Sequence, residues 1–374
     1  MLRRPLIALI STAAFLLIAI NLLISLWSQR LPYSRAIEHI RDASQCNLLL
    51  IGNSLLDQHV DENSLTRAAA ERGAVLDPLN AALGASQPPE QRLLFDYSLE
   101  HQAQVRMVAV GIFDFQLTAE DHSHPLDLTG NRVIGLDRRI EYKDVAETYG
   151  FGLRDRIELT ILRHFPMAAY RTNAWRYVEL LRRAMGANGL PQKSVNSMGR
   201  VDDFAALEAS SVGAFDAEAQ EFLSNPMRFN SSYEEIFSDA ERKNIKPIII
   251  LMPMPPLHRR TYYDRPSWKA YMAALTSLAN RRGISVLDAS GWFSQPDDFV
   301  DHLHVSQGAA REFSYRLGLE LAPALQSAAP QSIAFAGERA PAQTCLAAAA
   351  GTFSSPAACR ATSAGRRSGC RRQM

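Results

Sequence analysis

Residues 47–54 read Asn47-Leu-Leu-Leu-Ile-Gly-Asn-Ser54, an apolar run that ends in a glycine and two polar residues. A short, uninterrupted apolar run of this kind is typical of a strand buried on both faces of a parallel sheet. Similar runs recur at 74–80, 105–112, 246–252 and 284–288, and helical patterns occupy 90–100, 232–244 and 266–282. Strands that alternate with helices of this length predict an α/β fold built on a doubly wound, open parallel sheet.

Residues 1–30 contain an uncharged run from Pro5 to Trp27, which follows Arg3 and Arg4. A bilayer needs about 20 consecutive apolar residues, so we expect a transmembrane helix that anchors the protein. A cleaved signal peptide and a buried core helix are the alternatives. The first lacks a clear small-residue cleavage site, and the second would show a polar face. The two arginines predict a cytoplasmic N-terminus, with the bulk of the chain across the membrane.

The rest of the chain divides into a domain and a tail. We expect one α/β domain over 31–326, interrupted at about 113–228 by a mainly helical insertion without strong strand patterns. Residues 327–374 hold six arginines and one acidic residue with few large apolar side chains, which predicts a disordered basic tail. A nucleic-acid-binding or lipid-binding arm is the alternative for this tail.

Charge and cysteine content exclude several classes of protein. The formal net charge of the chain is +1, so no global positive field indicates a nucleic-acid partner. The four cysteines show no CxxC spacing, which excludes a disulfide scaffold and a zinc ribbon.

Three residues at the ends of predicted elements combine into a catalytic pattern. Ser54 directly follows the first strand, and the stretch Asp301-His-Leu-His304 precedes the last helical pattern. Ligands of open α/β sheets bind at the carboxyl ends of the strands, so these side chains can share one crevice. A serine needs a base to take its proton, and the base needs a carboxylate to orient it. Ser54, His304 and Asp301 supply these three roles.

The sequence resembles the SGNH/GDSL hydrolase superfamily, and more closely the membrane-anchored SGNH-like proteins of bacterial polysaccharide O-acetylation, such as alginate O-acetyltransferase-like proteins. The resemblance covers about residues 45–320, through five blocks at 48–55, 80–86, 108–114, 248–255 and 299–308. It implies a flavodoxin-like SGNH sheet. By position, Ser54 matches the family nucleophile, Gly84 the glycine whose amide helps to hold the oxyanion, and Asp301 and His304 the last block.

Two blocks depart from the family pattern. Asn53 stands where the broad family has aspartate, and Phe113 stands where an oxyanion-holding asparagine belongs. Loss of one oxyanion donor costs on the order of 100-fold in rate, so another donor is expected to replace it, or the protein is a slow transferase or an inactive scaffold.

Further crevice candidates lie at the same strand ends: Asn53, Asp114, His258 and His302. His302 is a second candidate base, but Phe299 and not a carboxylate precedes it by three residues, so the spacing favours His304. For His258 a structural role is the alternative. A metal site built from Asp121, His122, His124 and the 301–304 stretch competes with the triad. A solvated loop is the favoured interpretation of His122 and His124, which lie in a polar stretch that contains a proline.

We therefore expect acyl transfer, with acetyl as the group, to hydroxyls of an extracytoplasmic polysaccharide through a covalent acyl-Ser54. An esterase of the same mechanism and a non-catalytic scaffold or glycan-binding subunit are the alternatives. The resemblance implies a multipass membrane O-acyltransferase as partner, no cofactor, and a single-pass location in the cytoplasmic (inner) membrane with a periplasmic catalytic domain.

Overall fold

The computed structural model describes residues 3–28, 31–43, 45–57, 59–102, 104–119, 134–169, 205–224 and 228–328. Its strands are β1 Leu48–Gly52, β2 Pro78–Asn80, β3 Met107–Ile112, β4 Lys246–Leu251 and β5 Ser285–Asp288. All neighbouring strands pair in parallel, and their order in the sheet is β2-β1-β3-β4-β5. This is the flavodoxin-like order of a doubly wound sheet, which confirms the predicted fold class.

The helices account for most of the remaining described chain. They are α1 Arg3–Ser28, α2 Pro32–Asp42, α3 Ser54–Asp57, α4 Glu62–Glu71, α5 Pro88–His101, α6 Tyr142–Thr148, α7 Leu153–His164, α8 Pro166–Ala169, α9 Ala205–Ser224, α10 Ser231–Arg242, α11 Pro256–His258, α12 Pro266–Arg281 and α13 Gln307–Ala328. A π-helical turn, Arg259–Tyr263, continues α11. Prolines in the first turn fit α5 and α12, because a proline there loses no helical hydrogen bond.

Helices cover both faces of the sheet. The crossovers from β1 to β2 and from β2 to β3 run in opposite directions along the sheet, so right-handed connections place α4 and α5 on opposite faces. Accordingly, α4 packs against α13, and α5 packs against α10. β1 and β3 are buried along their whole length between these layers, which explains their uninterrupted apolar sequence.

The predicted insertion contains helices α6 to α9, and no strand occurs in the described parts of 113–228. Two predictions fall wholly or largely outside the described residues. They are the disordered tail, described only as far as residue 328, and the metal alternative, whose residues Asp121, His122 and His124 are not described. Among the described residues, no three metal-ligating side chains cluster, and the metal alternative stays a prediction.

The helix α1 has the features of a membrane span. Residues Ile7–Ser28 are long and apolar enough to cross a membrane, and most large apolar side chains of this segment are exposed. Near its C-terminal end, Ile24 and Trp27 pack against the domain core. α1 is therefore a candidate membrane span that also contacts the domain.

Candidate active site

Ser54 lies at the carboxyl edge of the sheet because the chain turns tightly at the end of β1. A Cβ atom on Gly52 would lie 3.0 Å from the carbonyl oxygen of Gly111 and 3.1 Å from Leu56 Cβ. Only glycine permits this approach, which lets α3 start at Ser54 and pack Leu56 over the strands. The side chain of Ser54 stays partly exposed at this edge.

Asp301 and His304 occupy a closed loop in front of α13. Phe299 and Val305 form an antiparallel bridge at its base, and the Val300 N–H donates to the His304 carbonyl at 2.8 Å. Inside the loop, Asp301 Oδ1 accepts hydrogen bonds from the backbone N–H groups of Leu303 at 2.8 Å and His304 at 2.7 Å. The Asp-x-x-His spacing is therefore a loop whose carboxylate ties the backbone that carries the histidine.

The three predicted triad residues meet in hydrogen-bonding geometry. His304 Nε2 lies 3.0 Å from Ser54 Oγ, and His304 Nδ1 lies 2.9 Å from Asp301 Oδ2 and 3.1 Å from Oδ1. A carboxylate at Nδ1 requires a proton there, so Nε2 is the nitrogen that can accept the Ser54 hydroxyl proton. The histidine that reaches Ser54 is His304, as its spacing from Asp301 predicted, while His302 is half-buried on the same loop.

Asp301 remains ionised at neutral pH. Burial raises the pKa of Asp301, but hydrogen bonds from the His304 ring and from the backbone amides of His304 and Leu303 outweigh this effect and hold it at about 2. The carboxylate therefore accepts the Nδ1 proton without taking it, and it stabilises an imidazolium on His304.

His59 is a second buried histidine beside the triad, which the sequence did not reveal. Its Nε2 accepts a hydrogen bond from the Val305 N–H at 2.9 Å, and its ring meets the His304 ring edge-on at 5.6 Å between centroids. His59 is completely buried. Burial and, to a smaller extent, the nearby His304 together lower the pKa of His59 to about 3, against the opposing effect of Asp301. Neutral His59 thus fixes the backbone next to His304.

Gly84 lies beside Ser54, but a carboxylate interacts with its amide. A Cβ atom on Gly84 would lie 4.0 Å from Ser54 Cβ and 3.5 Å from Asp57 Oδ2. Although Asp57 is largely exposed, displacement of water raises the pKa of its carboxyl group, and a hydrogen bond from the Gly84 backbone acts in the opposite direction. The next residue, Ala85, has a φ of 61°, so the conformation that favours glycine falls one position after Gly84.

Several donors around Ser54 remain available for an oxyanion. Within the described part of the chain, no hydrogen bond uses the backbone N–H of Ser54 or of Ala85. Asn53 Oδ1 accepts from the Leu55 N–H at 2.9 Å, so its Nδ2 group faces Gln116 Oε1 at 3.2 Å. This contact leaves the NH2 group of Gln116 without a partner among the described residues.

Phe113 stands where the resemblance to SGNH/GDSL proteins predicts an asparagine donor. Its side chain is half-buried and packs against the core, and a phenyl ring has no N–H or O–H group to donate to an oxyanion. Gln116 lies three residues later, in the turn after β3, and its side-chain amide contacts Asn53 next to Ser54.

Asp114 and His258 form a separate, partly buried cluster. His258 Nε2 lies 2.9 Å from Asp114 Oδ1, and the Tyr263 hydroxyl donates to the same oxygen at 2.9 Å. Burial, with the nearby charge of Asp114, raises the pKa of Tyr263 well above its usual value. These contacts join the ends of β3 and β4, which supports the structural alternative for His258.

No model of a known protein family matches the chain, and no curated protein matches it. Among solved structures, the chain is similar to a lipase/acylhydrolase from Enterococcus faecalis, with 10% identity, a TM-score of 0.35, and coverage of 75% of this chain and 97% of that chain. It is also similar to a GDSL-like lipase from Bacteroides thetaiotaomicron, with 10% identity, a TM-score of 0.34, and coverage of 79% and 98%. These values are too low to transfer a function, so the assignment depends on the geometry of the site.

Proposed function

We propose that the protein is a membrane-anchored serine acyltransferase of the SGNH/GDSL type, which transfers an acyl group, most simply acetyl, to hydroxyls of a polysaccharide outside the cytoplasm. The observation that carries the proposal is the continuous relay from Ser54 Oγ through the His304 ring to Asp301, with contacts of 3.0 Å and 2.9 Å. A hydroxyl, an imidazole and an ionised carboxylate in this order are the parts needed for nucleophilic acyl chemistry.

In the first half-reaction, Ser54 Oγ attacks the carbonyl carbon of the acyl donor while His304 Nε2 takes the hydroxyl proton. The resulting oxyanion is held by the backbone N–H groups of Ser54 and Ala85, with Gln116 as the side-chain donor in place of the missing asparagine. Collapse of this intermediate breaks the bond to the leaving group, which takes the proton from His304. The acyl group is then bonded to Ser54 Oγ.

In the second half-reaction, an acceptor hydroxyl attacks the acyl-Ser54 ester. His304 Nε2 takes the proton of this hydroxyl and returns it to Ser54 Oγ as the acyl–serine bond breaks. Water in place of the sugar hydroxyl makes the same machinery an esterase. Which acceptor reacts depends on how well a polysaccharide excludes water from the edge of the sheet.

The location follows from α1. We infer that α1 is an uncleaved anchor in the cytoplasmic membrane and that Arg3 and Arg4 hold its N-terminus in the cytoplasm, which leaves the catalytic domain in the periplasm. An activated acyl group made in the cytoplasm must cross the membrane to reach this domain. A multipass O-acyltransferase that exports the group is therefore the partner that we propose.

A non-catalytic role remains the second candidate, and two observations favour it. Phe113 removes the expected asparagine donor, and Asp57 places a carboxyl group against the Gly84 amide. A protein that has lost oxyanion stabilisation can still bind glycan with the same fold.

The test uses the purified full-length protein in detergent with 4-nitrophenyl acetate as acyl donor. Because the triad acts as a unit, we expect Ser54→Ala, His304→Ala and the double variant each to lose about a thousandfold or more in kcat, without additivity. Intact-mass analysis should find one acetyl adduct on the wild type and none on Ser54→Ala. The variant His302→Ala on the same loop is the matched control and should keep most of the activity.

Adding an acceptor polysaccharide separates the candidates. Acetylated polymer and faster consumption of the donor support the transferase, while release of acetate alone supports the esterase. If the wild type forms no adduct and its rate equals that of Ser54→Ala, the catalytic proposal fails and the scaffold takes its place.

A further inference from the structure

Helix α7 and its C-cap carry an exposed apolar row. The row has one large apolar residue every four positions, which places the side chains along one side of a helix. Its members and their exposed fractions are Leu153 77%, Ile157 54%, Ile161 48% and Phe165 56%. The other side of α7 is also apolar, since Leu159 and Leu162 are buried against the domain. An exposed apolar row of this kind is a candidate interaction surface.

Asn21 ties the C-terminal end of α7 to α1. Its Nδ2 donates to the carbonyl oxygen of His164 at 3.2 Å, and its Oδ1 accepts from the Met167 N–H at 3.2 Å. Both backbone groups lie where the chain breaks between α7 and α8, and α8 packs against α1. An amide inside an apolar span is costly unless it is paired, and this contact pairs both of its ends.

The position of Asn21 sets the depth of this contact in a membrane. Asn21 lies seven residues before Ser28, the last residue of α1, which is about 10 Å along a helix that rises 1.5 Å per residue. One leaflet contributes about 15 Å to the hydrocarbon core. With Ser28 at the membrane surface, the junction of α7 and α8 therefore lies inside the leaflet and not above it.

Arginines gather where this leaflet meets water. A cavity of about 360 Å³ lies beside the C-terminal end of α1, and its charged lining residues are Arg41, Arg138, Arg139, Arg163, Glu38 and Asp137. The cations outnumber the carboxylates, so the cavity has a net positive charge. Such a charge at this level attracts the phosphates of lipid headgroups.

We propose that α7 lies in the membrane interface, with the row Leu153, Ile157, Ile161 and Phe165 against the acyl chains of the leaflet that α1 leaves. Phe165 lies deepest because it adjoins the contact with Asn21, and Leu153 lies nearest to water. The partner of this surface is the phospholipid bilayer. The inference rests on the proposed anchor and goes beyond it, because a second contact fixes which face of the domain turns toward the membrane.

The test measures the depth of single labelled residues in the full-length chain. Cys345, Cys359 and Cys370 are replaced by serine, and Cys46 is kept because it is buried. Ile157→Cys and Ile161→Cys carry an NBD fluorophore, and the protein is reconstituted into vesicles of phosphatidylethanolamine and phosphatidylglycerol. Doxyl groups on lipid chains quench labels in the leaflet, and iodide quenches labels in water.

Two control positions calibrate the quenching. Thr160 is exposed on α7 beside the row, and Ala273 lies on the exposed side of α12. Thr160→Cys and Ala273→Cys therefore carry the label at the control positions. We expect the labels at 157 and 161 to lose most of their fluorescence to doxyl lipids and little to iodide. The label at 273 should show the reverse, and the label at 160 should lie between them.

The failures of the anchor and of this inference are distinguishable. If the protein stays with the vesicles through a high-salt wash while iodide quenches positions 157 and 161 like position 273, the anchor stands and the interfacial helix is refuted. If neither quencher reaches these labels, protein covers the row, and the inference is also refuted. If the wash removes the full-length protein, the anchor fails and takes the inference with it.

Discussion

The neutral state of His59 makes a quantitative prediction about acid stability. The pKa of His59 is lowered from 6.5 to about 3 by burial, so the unfolded chain binds this proton at a higher pH than the folded chain does. Stability from this group is fully present above about pH 6.5 and is lost as the pH falls toward 3. At pH 5 the loss depends on the unfolded pKa and hardly on the folded value, because folded His59 is still neutral there. The unfolded pKa of 6.5 lies 1.5 units above pH 5, so the free energy of unfolding falls by about 2 kcal/mol at that pH.

The perturbation is His59→Gln, whose Oε1 replaces Nε2 as acceptor for the Val305 N–H and does not titrate. We expect the free energy of unfolding of the wild type to fall between pH 7 and pH 5 by about 2 kcal/mol more than that of the variant. Urea unfolding of the full-length protein in a non-ionic detergent, followed by near-ultraviolet circular dichroism, measures this difference.

The exposed histidine His101 supplies a matched control, since His101→Gln removes a histidine from the surface. This control should follow the wild type between the two pH values. If His59→Gln keeps the same pH dependence as the wild type, His59 is not held neutral by burial, and the reasoning is wrong. A kcat that falls in His59→Gln with little change in KM would show that the imidazole ring of His59, which meets the His304 ring, also positions His304 for chemistry.

Three further predictions concern the oxyanion site, the packing of α13 against α4, and the membrane anchor. Asp57→Ala frees the Gly84 amide and removes a negative charge near the developing oxyanion, so kcat for 4-nitrophenyl acetate should rise by about fivefold, whereas a fall would show that Asp57 assists catalysis. Gly318→Ala should destabilise the protein by about 1–3 kcal/mol in urea unfolding, because the new Cβ would lie 2.4 Å from a backbone oxygen of α4. No described atom lies within 4 Å of a Cβ added at Gly213, so Gly213→Ala is its control and should stabilise by about 0.5–1 kcal/mol. Removal of residues 1–30 should release the protein from membranes in a high-salt wash, and release of the full-length protein by the same wash would contradict the anchor.

The sheet was predictable from the sequence because its strands are buried on both faces. A strand such as 48–52 has no exposed side and therefore appears as an unbroken apolar run, and all five predicted runs contain an observed strand. The weakest run, 74–80, contributes only three residues to the sheet. Its strand starts at Pro78, which has no N–H to donate to the ladder.

The sequence predicted the residues Ser54, His304 and Asp301, but not the residues that hold the segments around them in place. Ser54 and His304 stand at ends of elements, where the topology of an α/β fold places ligand groups. His59 and Gln116 act through single hydrogen bonds to distant segments, to Val305 and to Asn53. A periodic sequence pattern cannot predict such a contact, because the contact depends on where two distant loops meet after the sheet has formed.

The neutral state of His59 is connected to the chemistry of His304. In the proposed mechanism, each half-reaction passes through a state in which His304 carries two ring protons and one positive charge. A second positive charge 5.6 Å away would oppose that state by about 3 kcal/mol at an effective dielectric constant of 20. Burial of His59 prevents this, and the hydrogen bond from the Val305 N–H fits the neutral ring, because Nε2 accepts it only when unprotonated. The buried ring of His59 therefore holds the loop that carries His304 through Val305 and stays uncharged during the proposed proton transfer from Ser54 to His304.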